Sequence, residues 1–221
     1  MSLIELDDYL DLSDLESVND EFSRVIDSLS EQWGVFYAVS REVDDEGNYL
    51  KDNLEVRTLY LTKLVDGIDE SWDKYFLLDN SDYWVDNLDV SDKFPRLKKM
   101  ISKLPFKNTA RIFLIFTKKG CEIANHRDHP YDEWRHEMIW IRFSDAKKFF
   151  VLENNQPIYI QGSSCWFDSK KIHGTETDGY GVSLRVDGEF TDEFRKKLFG
   201  ENSKWKTIQE IDYDHKRLPW Y

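Results

Sequence analysis

Cysteine is nearly absent from this sequence: Cys121 and Cys165 stand alone among 221 residues. Two thiols cannot form a disulfide framework and are too few for a thiolate zinc site, so both are expected reduced and structural. Long apolar runs are missing as well. The best, Ile112 to Phe116 and Met138 to Ile141, have strand length and fall far short of the ~20 residues of a membrane span. Basic residues are in deficit, with 30 Lys and Arg against 43 Asp and Glu, and the net charge of −13 is the wrong sign for a partner held through its phosphates. Neither nucleic acid nor membrane is an expected partner. The opening residues Glu5, Asp7, Asp8 and Asp11 are not a basic and then apolar leader, which points to a cytoplasmic protein.

What is present is material for a core. Hydrophobic residues make up 40% and aromatics 15%, with eight Trp and fourteen Phe, which excludes wholesale disorder. The length suits one domain, with residues 1–107 as a helical and β support region, 108–188 as a catalytic core and 189–221 as a helix and tail. Ser13-Asp14-Leu15-Glu16 reads as a capping box, and Leu15, Val18, Phe22, Val25, Ile26 and Leu29 recur at helical spacing, predicting a helix over about 14–30. Gly34 to Ser40 and Glu55 to Lys63 read as paired strands around a turn-like Asp44 to Asn48. Residues 66–92 are acidic, rich in Trp and without a period, so irregular structure with at most a short helix is expected. Ser91 is a candidate cap for a helix carrying Phe94, Leu97, Met100, Ile101 and Leu104 on one stripe before Pro105.

From about 109 the texture changes to short strands at 109–118, 121–128, 136–143, 147–152, 157–161, 163–168, 171–174 and 180–187. Gly120, Asn154-Asn155, Gly162 and Gly179 break them. Many short strands at close spacing predict a sandwich, barrel or jelly roll. A last helix begins near Thr191 and buries Phe194, Leu198 and Phe199.

Four of five histidines, His126, His129, His136 and His173, fall in this strand-rich half. Residues two apart on a strand share a face, so His126 and Asp128 project side by side about 7 Å apart at Cα, within reach of one ion, while His129 points elsewhere. His173, 45 residues beyond Asp128 and just past Cys165-Trp166-Phe167, is the available third donor. Two imidazoles and one carboxylate fit a facial triad, which leaves three positions on an octahedral Fe(II) for an oxo acid and O2. In the strand around Ser183-Leu184-Arg185-Val186-Asp187, Val182, Leu184 and Val186 pack one way and Ser183 and Arg185 face the interior. A guanidinium there needs an anion; a small diacid matches it, and so would an ion pair with Asp187.

The order His126-x-Asp128, Arg135-His136, Gly162-x-x-x-Trp166, His173 and Ser183-x-Arg185 resembles the aspartyl/asparaginyl β-hydroxylase-like branch of the Fe(II)- and 2-oxoglutarate-dependent oxygenases, over roughly residues 108–188. The resemblance implies a mainly β fold with flanking helices, a double-stranded β-helix of cupin-like jelly-roll type. It implies Fe(II) on His126, Asp128 and His173, 2-oxoglutarate on Arg185, and pocket roles beside them for Arg135, Ser183 and His136. It implies a dioxygenase that hydroxylates an amino acid, a residue in a peptide or protein, or a related small molecule, releasing succinate and CO2. Members that halogenate lack the carboxylate ligand, so Asp128 implies hydroxylation. Residues 129–134 depart from the pattern, being acidic and aromatic, and leave the substrate open. Trp140, Phe150, Tyr159 and Trp166 are candidates to line the pocket or to fill the core.

His126-Arg127-Asp128 also occurs in kinase catalytic loops, but Glu133 stands where such a loop has Asn and no Gly-rich phosphate loop is visible. The same residues leave room for a metal-dependent hydrolase built on the His126-x-Asp128-His129 run, and for a non-catalytic cupin-like module that retains a metal or small acid.

Overall fold

Backbone pairing in the strand-rich half follows one rule, visible in the computed structural model. This structure describes residues 2–29, 34–35, 40–43, 49–52, 56–66, 68, 80–117, 121–128 and 135–201. In chain order its elements are β1 (Leu3–Glu5), α1 (Leu15–Val25) with a 3-10 turn at Ile26–Leu29, β2 (Gly34–Val35), β3 (Ser40–Val43), β4 (Tyr49–Asp52), β5 (Arg57–Tyr60) and β6 (Thr62–Leu64). A 3-10 turn at Ser81–Tyr83, β7 (Trp84–Asp86), α2 (Leu88–Ser91) and α3 (Pro95–Ile101) follow. The remainder is β8 (Phe106–Thr117), β9 (Cys121–His126), β10 (Met138–Arg142), β11 (Lys147–Glu153), β12 (Gln156–Tyr159), β13 (Ser164–Phe167), β14 (His173–Thr177), β15 (Gly181–Phe190) and α4 (Asp192–Phe199).

Strand β8 pairs with β15, β9 with β14, β10 with β13 and β11 with β12, all antiparallel. This is a long hairpin rolled up so that its ladders fall alternately in two facing sheets, ordered β13-β10-β15-β8 and β12-β11-β14-β9. The expected double-stranded β-helix, or jelly roll, is therefore present. Its tip is the two-residue turn Asn154-Asn155, with φ of 51° and 62°. Asparagine tolerates that left-handed region, and the turn's twist matches the strands it joins. N-terminal strands lengthen both sheets: β1 adds to β13, β5 and then β2 to β8, and β3 and then β4 to β9.

Apolar residues of both phases are buried in β10, since one face of its sheet meets the opposite sheet and the other meets helices. Leu184, Val186, Ile139 and Ile141 pack with Phe22, Leu97 and Phe194 from the helical layer, whereas Met138, Trp140, Phe149, Val151 and Phe167 fill the space between sheets. Cys165 belongs to that inner cluster, and burial pushes its thiol well up, so it is inert.

Two helix starts differ from the expectation. Ser13 does not cap α1; its hydroxyl donates to Asp11 instead, at 2.5 Å. Ser91 ends α2 rather than starting a helix, and α3 begins at Pro95 after Phe94 leaves the helical region at φ −121° and ψ 60°. Proline disfavours helical backbone before it and suits the first helical position, so Pro95 sets the boundary. With no side-chain cap of its own, α3 is capped from α1: Glu21 accepts from Arg96 N and Leu97 N, both at 3.0 Å. Thr191 does cap α4, accepting from Phe194 N at 3.3 Å. The expected turn at 44–48, residues 67 and 69–79 of the stretch 66–92 expected to be irregular, His129 with residues 130–134, and the tail at 202–221 lie outside the described residues, and the described part of 66–92 holds the 3-10 turn at Ser81–Tyr83, β7 and the short helix α2.

Candidate metal centre

Strand β9 ends at His126 and β14 begins at His173, and the two are direct cross-strand partners with ring centroids 4.4 Å apart. Asp128, two residues past His126, is tied to the turn entering β14 by its N–H, which donates to the Ser169 carbonyl at 2.9 Å. Its Oδ1 lies 3.2 Å from His126 Nε2 and 3.3 Å from His173 Nε2. One donor atom from each residue falls within 4.8 Å of the others.

The donor chemistry fits a cation. His173 Nδ1 is 2.8 Å from the Lys171 carbonyl, which can only accept, so Nδ1 carries the hydrogen. In the neutral ring Nε2 then turns its lone pair toward the Asp128 carboxylate, an arrangement relieved only by a proton or a metal ion between them. With bonds of about 2.1 Å, donors sharing one ion stand roughly 3 Å apart, which the two contacts match. Burial alone would raise the Asp128 carboxyl, but the Arg185 guanidinium, His173 and the imidazole contacts hold it well below the usual carboxylate range. It is a carboxylate ready to bind.

Arg185 faces the interior as the alternation requires, with Leu184 and Val186 in the helix-facing core. Its Nη1 donates to Asp128 Oδ2 at 2.5 Å and its Nε to Asp187 Oδ1 at 2.7 Å. Asp187 also accepts from Arg111 Nε at 2.7 Å. Burial disfavours the Arg185 cation, but Asp187 and Asp128 more than offset that, and the group stays charged. The guanidinium expected to meet a diacid thus already meets two carboxylates. His136, also buried, places Nδ1 3.5 Å from Arg185 Nη2.

Other residues singled out by sequence are placed differently. Arg135 lies over the rings of Trp166 and Phe199, 4.9 and 4.6 Å from their centroids, because Trp166 points into the helix-facing core and not between the sheets. Phe150 packs on Tyr159, whose hydroxyl donates to Glu176 at 2.8 Å. Of the four aromatic candidates, Trp140 is the one in the inner cluster. The rings that do flank His173 are Phe149 and Phe167, at 5.9 and 4.6 Å. Neither was singled out by sequence, although Lys147, Phe149 and Val151 share one phase of β11 and point inward together.

A register shift in the β9–β14 ladder between His173 and Thr175 sets the approach of the two histidines. Gly174 sits in that shift, and a Cβ there would lie 2.8 Å from the Ile123 carbonyl oxygen and 3.0 Å from Asn125 Oδ1. Because the nearest obstacle is backbone, Gly174→Ala has to push β14 from β9. Metal affinity is expected to fall about tenfold or more, the loss seen when ligand orientation is disturbed. A Mn(II) titration checks this, and unchanged affinity would show that the shift does not position His173.

No family model matches the sequence, and no curated protein matches it. Several solved structures are similar in shape. One is a prolyl-4-hydroxylase from Pseudomonas putida, 10% identical over 84% of this chain and 91% of that one, with a TM-score of 0.44. Another is a prolyl hydroxylase in complex with a hypoxia inducible factor oxygen degradation domain peptide fragment, from Trichoplax adhaerens, 12% identical over 89% and 86%, at 0.47. A third is a 2OG-Fe(II) oxygenase family oxidoreductase from Burkholderia pseudomallei, 12% identical over 78% and 89%, at 0.38.

Proposed function

We propose that the chain is an Fe(II)- and 2-oxoglutarate-dependent dioxygenase that hydroxylates an amino acid, an amino-acid residue in a peptide or protein, or a related small molecule. The observation that carries this is the convergence of His126, Asp128 and His173, two imidazoles and one carboxylate within 4.8 Å, at the strand ends of a jelly roll. Two nitrogens and one oxygen are the donor set of a non-haem ferrous centre with positions left for other ligands. When bound, iron and the oxo acid would supply oxidation by O2, one oxygen atom going to the substrate and the other to succinate as CO2 leaves.

The chain's own side chains bind and orient. Arg185 holds Oδ2 of Asp128, which leaves Oδ1 turned to the two imidazoles. The Lys171 carbonyl fixes the His173 ring with Nε2 toward the same point. Phe149 and Phe167 keep water from one side of that ring. An acidic surface disfavours acidic protein partners and nucleic acid. Among the described residues, no helix is long and apolar enough to cross a membrane.

A zinc hydrolase would use the same donors, so the deciding test is the co-product. Incubation with Fe(II), ascorbate and 2-oxoglutarate is expected to yield succinate, and addition of a cell extract a product heavier by one oxygen. Absence of both, from protein shown to hold iron, would overturn the reading.

A further inference from the structure

One cation beside the metal cluster leaves most of its hydrogen-bonding edge unused. Arg111 stands on β8 with 14% of its side chain exposed, and its Nε donates to Asp187 Oδ2 at 2.7 Å. That is its only side-chain hydrogen bond among the described residues, so the N–H groups of Nη1 and Nη2 meet no acceptor there. Strand alternation puts the group on the metal side. Ile112 and Leu114 pack in the helix-facing core, so Arg111 and Phe113 face inward, and Phe113 is directly opposite Arg185 in the β8–β15 ladder. Across the other ladder Phe113 is opposite Tyr60 of β5. Their rings stack with centroids 5.4 Å apart, and the Arg111 guanidinium lies 4.5 Å from the Phe113 centroid. Tyr60 keeps 36% of its surface exposed and forms the open end of this wall.

Arg111 connects to the metal donors through Asp187, Arg185 and Asp128, in three hydrogen bonds of 2.7, 2.7 and 2.5 Å. Such a chain spans on the order of 10 Å at ordinary bond lengths. That is too far for a ligand of the ion and suits the far end of a molecule that presents a carbon to it. Charge points the same way. Asp187 is fully buried and carries one charge between two guanidiniums, while Asp128 turns its second oxygen to the imidazoles. A metal ion there takes up the Asp128 charge and leaves Asp187 with two cations to balance. A mostly covered guanidinium with free N–H edges is stabilised by an anion that accepts from two of them at once, and a carboxylate has that shape. Phe113 and Tyr60 offer apolar contact to the carbon skeleton of the same molecule. The cover over Arg111 admits a small acid, and the net charge of −13 repels a strongly acidic polypeptide.

We propose that Arg111 is the substrate-recognition residue of the site: its Nη1 and Nη2 take the carboxylate of a small organic acid, a free amino acid or a close relative, whose carbon skeleton lies along Phe113 and Tyr60 toward the metal donors. This rests on the oxygenase reading and narrows its substrate class. Recognition is by charge and hydrogen bonds, and no covalent step is involved.

The test offers the proteinogenic amino acids singly, each as the free acid and as its α-amide, to wild-type protein, Arg111→Met and Arg111→Lys with Fe(II), ascorbate and 2-oxoglutarate. Mass spectrometry reads the product heavier by one oxygen, and tryptophan fluorescence of the Mn(II)-loaded proteins reads binding of the same pairs. Wild type is expected to favour at least one free acid over its amide by about 100-fold in both readouts, the scale of a charge-assisted hydrogen-bond pair inside a protein. Arg111→Met should lose that preference. Arg111→Lys keeps a cation beside Asp187 without the forked edge and should retain about a tenth of it. An intact preference in Arg111→Met, or equal loss for acid and amide, overturns the assignment. So does wild-type protein that makes succinate but discriminates no acid from its amide. Should Arg111→Met not fold, Arg111→Lys decides: the full wild-type preference there overturns it. If wild type makes no succinate with any addition, the oxygenase reading fails and the binding titrations judge the subsite alone. Free acids bound by wild type and lost in the variants then support it; no binding in wild type, or equal binding in the variants, overturns it.

Discussion

Asp128→Ala is expected to lose metal binding and turnover together, and to unfold more readily even without metal. Asp128 would supply one of three donors, with Oδ1 3.2 and 3.3 Å from the two imidazole nitrogens. Disturbing an outer partner of a ligand already costs 10- to 100-fold in metal affinity, so removing the ligand is expected to cost more than about 100-fold. The same carboxylate is half of the Arg185 ion network, at 13% side-chain exposure against 8% for the arginine. Removing it leaves a buried guanidinium with Asp187 alone, and breaking one side of a buried pair costs about 3 kcal/mol. Mn(II) titration and denaturant melts of the metal-free protein read the two effects separately. Retained turnover in this variant would remove Asp128 from the centre, and retained stability with lost metal would show that Arg185 repairs its own partnership. Asp128→Asn separates them further, since its amide oxygen still accepts from Arg185 while its charge is gone.

The strands from β8 onward were legible because their punctuation is chemical. Asn154-Asn155 sits where two residues with positive φ close the β11–β12 hairpin. The alternation of Val182 to Val186 also predicts faces directly, since side chains on a strand leave no third direction, whereas the expected strand 121–128 ends at His126 and Asp128 is held in the bend beyond it. The neighbours across a sheet were not legible in this way. Arg135 is close in sequence to His136, yet it stacks on Trp166 and Phe199 from a different strand and a helix. Lys147 reads as an ordinary charged residue in Lys147-Lys148; only the pairing with Thr177 and the approach of Gly181 place it between the sheets. Helix starts failed for a related reason. Ser13 and Ser91 have the chemistry of caps, but Asp11 takes the hydroxyl of the first and Pro95 moves the second boundary. The acceptor that caps α3 comes from Glu21, some 75 residues away, beyond the reach of any local pattern.

Lys147→Met is expected to melt higher than wild type at neutral pH, with the gap closing as the pH rises. Burial pulls the Lys147 ammonium down from 10.5 to about 7. A lysine with its folded pKa depressed binds fewer protons folded than unfolded between those values, so wild-type stability rises with pH from about 7 to 10.5. Below pH 7 the folded chain must hold the buried cation and bears the full penalty, on the order of 5 kcal/mol at 1.36 kcal/mol per unit. Above pH 10.5 the penalty is gone and the two proteins should be equally stable. Nothing facing Nζ among the described residues offsets it: Thr177, Thr117, Ser183 and Ile115 are neutral, and Arg142 is itself a cation. Calorimetric melts of both proteins from pH 6 to 11 measure the gap. A stability gap that does not change with pH would mean that Lys147 carries no charge to lose, and that the buried end of the barrel is polar without being cationic.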